Sequence, residues 1–150
     1  MSRLSGTPFT VTSSGTNLNA PGNTQTADQV KAEVKILGGV GRGASYFDPT
    51  AYAAFSAVRY GTVGRNTLRG PGVFNLDASL FRNFKVTEKW ALQFRTEVFN
   101  LTNTPAFGNP GANVSSPTTV NGVVNFNGYT EITTAAATER QFRFALKLSF

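Results

Sequence analysis

The sequence predicts an all-β fold: an antiparallel meander of strands, each with one apolar and one polar side, joined by connections of very unequal length. Three observations predict it. Apolar residues recur at every second position in three separate stretches, the spacing that sends alternate side chains to opposite faces of a strand. The connections between the stretches are alternately tight and long. Helix signals are nearly absent, and Gly, Asn and Thr fill much of the remaining chain.

Residues 6–14 (GTPFTVTSS) open the series, with Phe9 and Val11 on one side and Thr10 and Thr12 on the other. Residues 30–37 (VKAEVKIL) alternate too and read as a further strand. The pattern strengthens over residues 74–86 (FNLDASLFRNFKV). There Phe74, Leu76, Ala78, Leu80, Phe84 and Val86 share a face broken only by Arg82, and Asn75, Asp77, Ser79, Asn83 and Lys85 share the other. Residues 90–100 place Trp90, Leu92, Phe94, Thr96 and Val98 opposite Ala91, Gln93, Arg95 and Glu97. The closing stretch, residues 140–150 (RQFRFALKLSF), sets Phe142, Phe144, Leu146, Leu148 and Phe150 against Gln141, Arg143, Lys147 and Ser149, with the small Ala145 among the latter.

A soluble sheet with one face on a core gives the same alternation. The connections separate the readings. Only the tripeptide TEK joins Val86 to Trp90, a hairpin link, whereas the passages between residues 14 and 73 and between residues 100 and 140 are long and rich in Gly, Asn and Pro. Transmembrane β-barrels join their strands by short turns on the periplasmic side and long loops outside. Run through in order, the strands go up through Phe9, down from Phe74 to Val86, up from Trp90 and down to Phe150. The sequence therefore predicts an incomplete transmembrane β-barrel segment. The stretches supply the roughly 9 to 11 tilted residues that cross a bilayer. Phe84, Trp90 and Phe150 fall near the inner rim and Phe74 and Phe142 near the outer one, as an interfacial girdle requires. Arg82 lies on the apolar face, where a midplane charge costs about 2 to 4 kcal/mol. It is close enough to the turn for its guanidinium to snorkel to the interface, where that cost falls toward zero.

Composition narrows the function. Charged residues make up 15% of the 150 positions, low for a soluble globule. No apolar run approaches the roughly 18 residues of a membrane-spanning helix, and the first residues do not form a secretory signal. With no cysteine there is no disulfide framework, and with no histidine the commonest metal ligand and general base are both missing. The net charge of +6 comes from scattered single Lys and Arg rather than a block that tracks phosphates, so nucleic acid is not expected as a partner.

Candidate chemistry is sparse. GGVGRGAS lacks the Gly-Lys-Ser/Thr ending of a phosphate loop and reads as a flexible connection. Asp48 before Pro49 reads as a turn. Arg95, Glu97, Arg143 and Lys147 read as the lining of a wet interior rather than a catalytic set. The chain is expected to be no enzyme, with no catalytic residues, cofactor or metal. Tyr46, Phe47, Tyr52 and Phe55 in the first long loop fit either contact with a sugar or peptide ligand or packing of the loop on itself. Asn100 and Asn113 begin sequons that lie on or near loops.

The stretch LRGPGVFNLDASLFRNFKVTEKWALQFRTEVFNLTNTPAFGNPG resembles the end of the barrel in TonB-dependent outer-membrane receptors of the Oar-like group, whose members often carry a carboxypeptidase-regulatory-like domain. The likeness extends through SGTPFTVTSSGTNLNAPGNTQTADQV and YFDPTAYAAF, and so over essentially all of residues 1–150. It implies a wall segment for nutrient uptake in the bacterial outer membrane, with lipid and the remaining barrel as partners. It also implies an outer-membrane assembly signal at Phe144, Leu146, Leu148 and Phe150, and so an account of the terminal aromatic. Such receptors have a plug, through which TonB acts, and a barrel of about 22 strands. This chain shows neither plug nor signal peptide and supplies about four to six strands, short of the roughly eight that close a barrel. It is therefore expected to be a C-terminal fragment.

Two other readings stay open. Free edges on alternating strands are templates for strand addition, so copies of the chain are expected to stack into an extracellular β-rich filament if it exists alone. A soluble β-sandwich binding module would need Phe74, Leu80, Phe94 and Phe144 to face a shared core.

Overall fold

The computed structural model describes residues 2–14, 25–54, 59–137 and 139–150, and among these every regular element is a strand. In chain order they are β1 (Ser2–Leu4), β2 (Pro8–Phe9), β3 (Asp28–Gln29), β4 (Tyr52–Ala53), β5 (Leu68–Arg69), β6 (Val73–Asn75), β7 (Ala78–Lys85), β8 (Ala91–Phe99), β9 (Thr118–Val120), β10 (Val123–Asn125) and β11 (Gln141–Ser149). The fold is all-β and antiparallel, as the sequence predicts. The chain divides into two compact units, one built from Met1–Leu4, Val73–Ala106 and Ala136–Phe150, the other from Ser5–Gly72 and Phe107–Ala135.

The first unit carries the long strands. β8 lies between β7 and β11 in an antiparallel sheet of order β11-β8-β7. The turn closing β7 onto β8 is tight: the amides of Val86 and Thr87 both donate to the Trp90 carbonyl, at 2.9 and 3.2 Å, and the Trp90 amide donates to the Thr87 hydroxyl at 3.1 Å. Residues 74–86, expected as one strand, are two. The break is at Leu76 and Asp77, where Asp77 Oδ1 accepts the Asn100 amide at 2.9 Å and the Leu76 carbonyl accepts the Leu101 amide at 2.7 Å. A side chain thus takes the place of a ladder carbonyl, and Asn100, with φ 52°, turns the chain out of β8. Above the break β6 pairs with β1, Ser2 opposite Asn75. The strand antiparallel to this end of the sheet is therefore Ser2–Leu4, rather than residues 6–14.

The second unit is where most of the apparent loop sequence goes, and it has a core of its own. Phe47 is fully buried, with ring centroids 5.9 Å from Phe9, 5.9 Å from Tyr52 and 5.7 Å from Tyr129, the last two edge to face. Val11, Ala27, Ala51, Val63 and Leu68 complete the cluster. Extended segments stack beside one another through single bridges: Thr12 meets both Thr26 and Asn113, Ile36 meets Phe47, and Ser45 meets Glu131. Residues 6–14 keep regular pairing only at β2. Residues 30–37, expected as a strand, are irregular. Gln29 Nε2 donates to the carbonyls of Lys31 at 2.8 Å and Ala32 at 3.4 Å, holding a bend where a straight ladder would need to pass. Val30, Ile36 and Leu37 are left exposed.

Close packing in this unit depends on small residues. A Cβ on Gly111 would lie 2.0 Å from the Gly128 carbonyl oxygen, so only glycine fits there. Next to Gly128 and Tyr129, the buried Thr130 holds φ 63°, unfavourable for a β-branched residue. It is pinned by three contacts: its amide to the Gly111 carbonyl, its carbonyl to the Tyr46 amide, both 2.8 Å, and its hydroxyl 2.9 Å from that of Ser45.

Candidate membrane wall

Because pairing in β7, β8 and β11 is in register, the alternation of each strand becomes a property of the whole sheet. Rows across the sheet read Phe142 with Val98 and Ala78, Phe144 with Thr96 and Leu80, Leu146 with Phe94 and Arg82, and Leu148 with Leu92 and Phe84. That face is apolar but for Thr96 and Arg82. It is also bare: Leu80, Phe144 and Leu146 are 70, 68 and 69% exposed. An exposed continuous apolar surface is the mark of a face made for lipid or for another protein. The shared core of Phe74, Leu80, Phe94 and Phe144 required by a β-sandwich is not formed, since Leu80 and Phe144 face outward.

Aromatic rings gather at the ends and along the edge of the face. Trp90 and Phe150 meet at 5.2 Å beside the tight turn. Phe144 lies 6.5 Å from Phe94 and 6.5 Å from Phe142. Arg82 resolves as its position in the sequence suggests: its guanidinium sits over the Phe84 ring, 5.2 Å from the centroid, leaning toward the turn.

The opposite rows are polar. Lys85 lines up with Ala91 and Ser149, Asn83 with Gln93 and Lys147, Phe81 with Arg95 and Ala145, and Ser79 with Glu97 and Arg143. Arg95 Nη2 pairs with Glu97 Oε1, Gln93 Nε2 donates to Asn83 Oδ1 at 2.8 Å, and the Arg143 guanidinium covers the Phe99 ring at 4.9 Å. Arg95, Glu97, Arg143 and Lys147 thus share one face, as the sequence indicates. Lys85, on the polar side of its stretch in the sequence, joins them. The lengths of β7, β8 and β11 are eight, nine and nine residues, close to the roughly 9 to 11 that cross a bilayer when tilted.

Two different surfaces on one ribbon of this length, the apolar one bare and the polar one charged, are the requirements of a barrel wall with lipid outside and water inside. A family model for an outer membrane beta barrel domain matches residues 1–143. The chain belongs to that family. No curated protein and no solved structure matches the chain. As an outer-membrane β-barrel domain it is placed in the bacterial outer membrane, and its sheet is barrel wall.

The four residues of the expected assembly signal lie past the matched region. Phe144, Leu146 and Leu148 stand on the apolar face of β11, and Phe150, 90% exposed, follows the strand. In the loop unit of the barrel domain, the aromatics expected either to take a ligand or to pack on their own loop do the latter at Phe47 and Tyr52, both buried, while Phe55 lies outside the described residues. Tyr46 is half-buried, and its hydroxyl donates to the Arg69 carbonyl at 3.4 Å. The glycine-rich 38–43 stretch runs irregularly, with Gly38, Gly41 and Gly43 at positive φ, and the Gly43 amide donates to Glu131 Oε1 at 2.7 Å.

Among the described residues, two ion pairs lie on the surface of the loop unit. The Asp28 carboxylate takes both Arg59 guanidinium nitrogens and the Thr62 amide; the Arg59 contact foremost holds its pKa below the usual carboxylate value. Lys31 Nζ lies 2.6 Å from Asp48 Oδ2, and Asp48 Oδ1 accepts the Thr50 amide at 2.9 Å, confirming the turn expected at Asp48 and Pro49. Hydrogen bonds from Lys31 and then Thr50 lower the Asp48 pKa to about 2. Burial raises the Tyr129 hydroxyl pKa, and that hydroxyl donates to the Pro49 carbonyl. Among the described residues no group of three or more carboxylate, His or Cys side chains is placed to hold a metal ion.

Proposed function

We propose that this outer-membrane barrel domain is wall and loop of an Oar-like, TonB-dependent receptor that takes up a nutrient, and that it performs no chemistry of its own. The observation that carries the reading is the two-faced register: Phe144, Leu146, Leu148, Leu92 and Phe84 on one side, Arg95, Glu97, Arg143 and Lys147 on the other. The resemblance of residues 68–111 and of the stretches upstream to Oar-like receptors supports the finer assignment. In such a wall the apolar rows sit against acyl chains and the polar rows line the water-filled passage. Arg95 and Glu97, paired with each other, keep the passage wet without leaving a bare carboxylate, and the Phe47 core holds the loop segments in fixed shape. Residues 1–150 then serve as the C-terminal part of the barrel, with Phe144, Leu146, Leu148 and Phe150 as the pattern read during membrane assembly.

Refolding the full chain into lipid vesicles tests the wall. Brominated acyl chains should quench Trp90 emission, and polarised infrared spectra should show strands tilted about 35 to 45° to the bilayer normal. Trp90 emission indifferent to brominated lipid would defeat the reading. For uptake, cells deleted for the gene should lose energy-dependent growth on at least one scarce nutrient, and growth unchanged across a nutrient panel would count against a receptor.

One observation favours a second reading. Over Ala78–Lys85 and Gln141–Ser149 the outer strands pair on one side only among the described residues, so both edges present unpaired amides and carbonyls to a further strand. Copies joined edge to edge would form an extracellular filament. Electron microscopy decides between the two: filaments in plain buffer support the polymer, and particles that need detergent support the wall.

A further inference from the structure

The polar face of the sheet carries four cations, Lys85, Arg95, Arg143 and Lys147, against the single carboxylate of Glu97. That carboxylate is committed to Arg95. Among the described residues no carboxylate comes within 4.0 Å of Lys85, Lys147 or Arg143. Ser149 lies in the row of Lys85, Gln93 and Asn83 lie in the row of Lys147, and Ser79 and Glu97 lie in the row of Arg143, whose guanidinium covers the Phe99 ring.

We infer that this face is a binding surface for polyvalent anions, solutes carrying two or more phosphate or carboxylate groups. Register gives the spacing. Lys85 and Lys147 are separated by the width of β8 and offset by one side-chain pair along it, roughly 12 Å between backbones, and Arg143 stands about 13 Å from Lys147 along β11. A single phosphate or carboxylate group is too short to meet side chains set this far apart, so the surface suits an anion with several charged groups that reaches more than one cation at once. The amide pair Gln93 and Asn83 stands between Lys85 and Lys147; Gln93 Nε2 spends one hydrogen on Asn83 Oδ1 at 2.8 Å, which leaves one amide hydrogen on Gln93 and both on Asn83 to meet an anion's oxygen. At the turn end a hollow of about 590 Å³ beside Lys85 adds Lys89, Thr87 and Ser149 to the lining, with Glu88 the carboxylate there. The apolar face offers no such surface, having Arg82 alone over Phe84.

The inference names the solute class for the passage proposed above and rests on that reading for its role, although binding itself needs only the exposed face. Inorganic tripolyphosphate is the probe, titrated calorimetrically into the full chain held in zwitterionic micelles. Binding should be present at low ionic strength and fall at least tenfold as salt rises from about 50 to 200 mM, since the Debye length shortens over that range. Lys85→Gln and Lys147→Gln should each weaken it severalfold and together abolish it, while Arg82→Gln, a charge of the same sign on the other face, should leave it unchanged. Both lysines are exposed, and Trp90 emission checks that each variant keeps its sheet. Spermine should not bind. No tripolyphosphate binding at low salt, or equal weakening by Arg82→Gln, overturns the inference. Anionic lipid headgroups share this chemistry, so the titration is repeated in vesicles containing phosphatidylglycerol. Binding retained there assigns the face to soluble anions, and binding lost there overturns that assignment in favour of headgroups. A chain that inserts into vesicles yet ignores tripolyphosphate refutes the solute class and spares the wall, whereas binding without insertion does the reverse.

Discussion

The rings of Trp90 and Phe150 lie 5.2 Å apart at an interplanar angle of 36°, joining the start of β8 to the residue after β11 beside the turn. A contact of this kind contributes about 0.5 to 1.5 kcal/mol beyond the area it buries. Phe150→Ala should lower the stability of the sheet by about that amount and move Trp90 emission to longer wavelength. Since Trp90 is the only tryptophan, the spectrum reads this contact directly. An unchanged emission maximum would show that the rings do not meet.

Arg82 and Leu146 occupy one row of the apolar face yet differ in how a charge there is tolerated. The Arg82 guanidinium has already leaned over Phe84 toward the turn, so Arg82→Leu should change stability in lipid vesicles by less than about 1 kcal/mol. Leu146→Arg adds a charge in the same row, where the side chain next toward the turn is Leu148 rather than a ring, and should cost more, up to about 2 kcal/mol. Urea titration of vesicle-inserted protein measures both. Equal effects from the two substitutions would mean that the Phe84 ring does not hold the Arg82 guanidinium.

Phe47 is enclosed by Phe9, Tyr52 and Tyr129. Phe47→Ala should destabilise the loop unit by about 3 to 5 kcal/mol, seen as loss of the near-ultraviolet circular dichroism of its tyrosines. All four tyrosines belong to that unit, which makes the signal specific to it. A retained tyrosine spectrum would contradict the packing around Phe47.

Gly111→Ala acts by a different route. The added methyl would meet the Gly128 carbonyl oxygen at 2.0 Å, and the backbone must move to admit it, at about 1 to 3 kcal/mol. Thermal unfolding followed at the tyrosines should show a lower midpoint, and an unaltered midpoint would mean that the two segments are not in contact.

Acid should loosen the same unit. Asp48 has its pKa lowered from 3.8 to about 2 by Lys31 and Thr50, and that of Asp28 is lowered by Arg59. A carboxyl whose folded pKa is depressed contributes stability above its unfolded value and loses it as pH falls through the folded one. The loss therefore belongs between about pH 4 and pH 2. Chemical denaturation at successive pH values should show it, and Asp48→Asn should flatten part of the slope. A decline centred above pH 4 would point to other groups.

The sheet was legible in the sequence because its strands alternate strictly and a three-residue turn fixes the register of two of them. The break at Leu76 and Asp77 was not, since it depends on Asp77 meeting the amide of Asn100 from another strand. Residues 30–37 alternate as a strand should, but no regular partner lies along them and Gln29 bends them away. The second unit was hidden for a related reason. Its core is assembled from Phe9, Phe47, Leu68 and Tyr129, drawn from separate stretches far apart in the chain, so no local window carries a period. Of the candidate surface, the grouping of Arg95, Glu97, Arg143 and Lys147 followed from parity alone, whereas the pairing of Gln93 with Asn83 required knowing which rows align.

Each row across β7, β8 and β11 is one residue from each strand, with β8 in the middle. Inserting or deleting a single codon within β8 would carry half its side chains to the wrong face and put Arg95 or Gln93 among acyl chains. A second change of the same kind would restore the parity. The gene's length should therefore drift freely through its Gly-, Asn- and Pro-rich passages and in even steps within the strands, an inheritance rule imposed by pleat geometry.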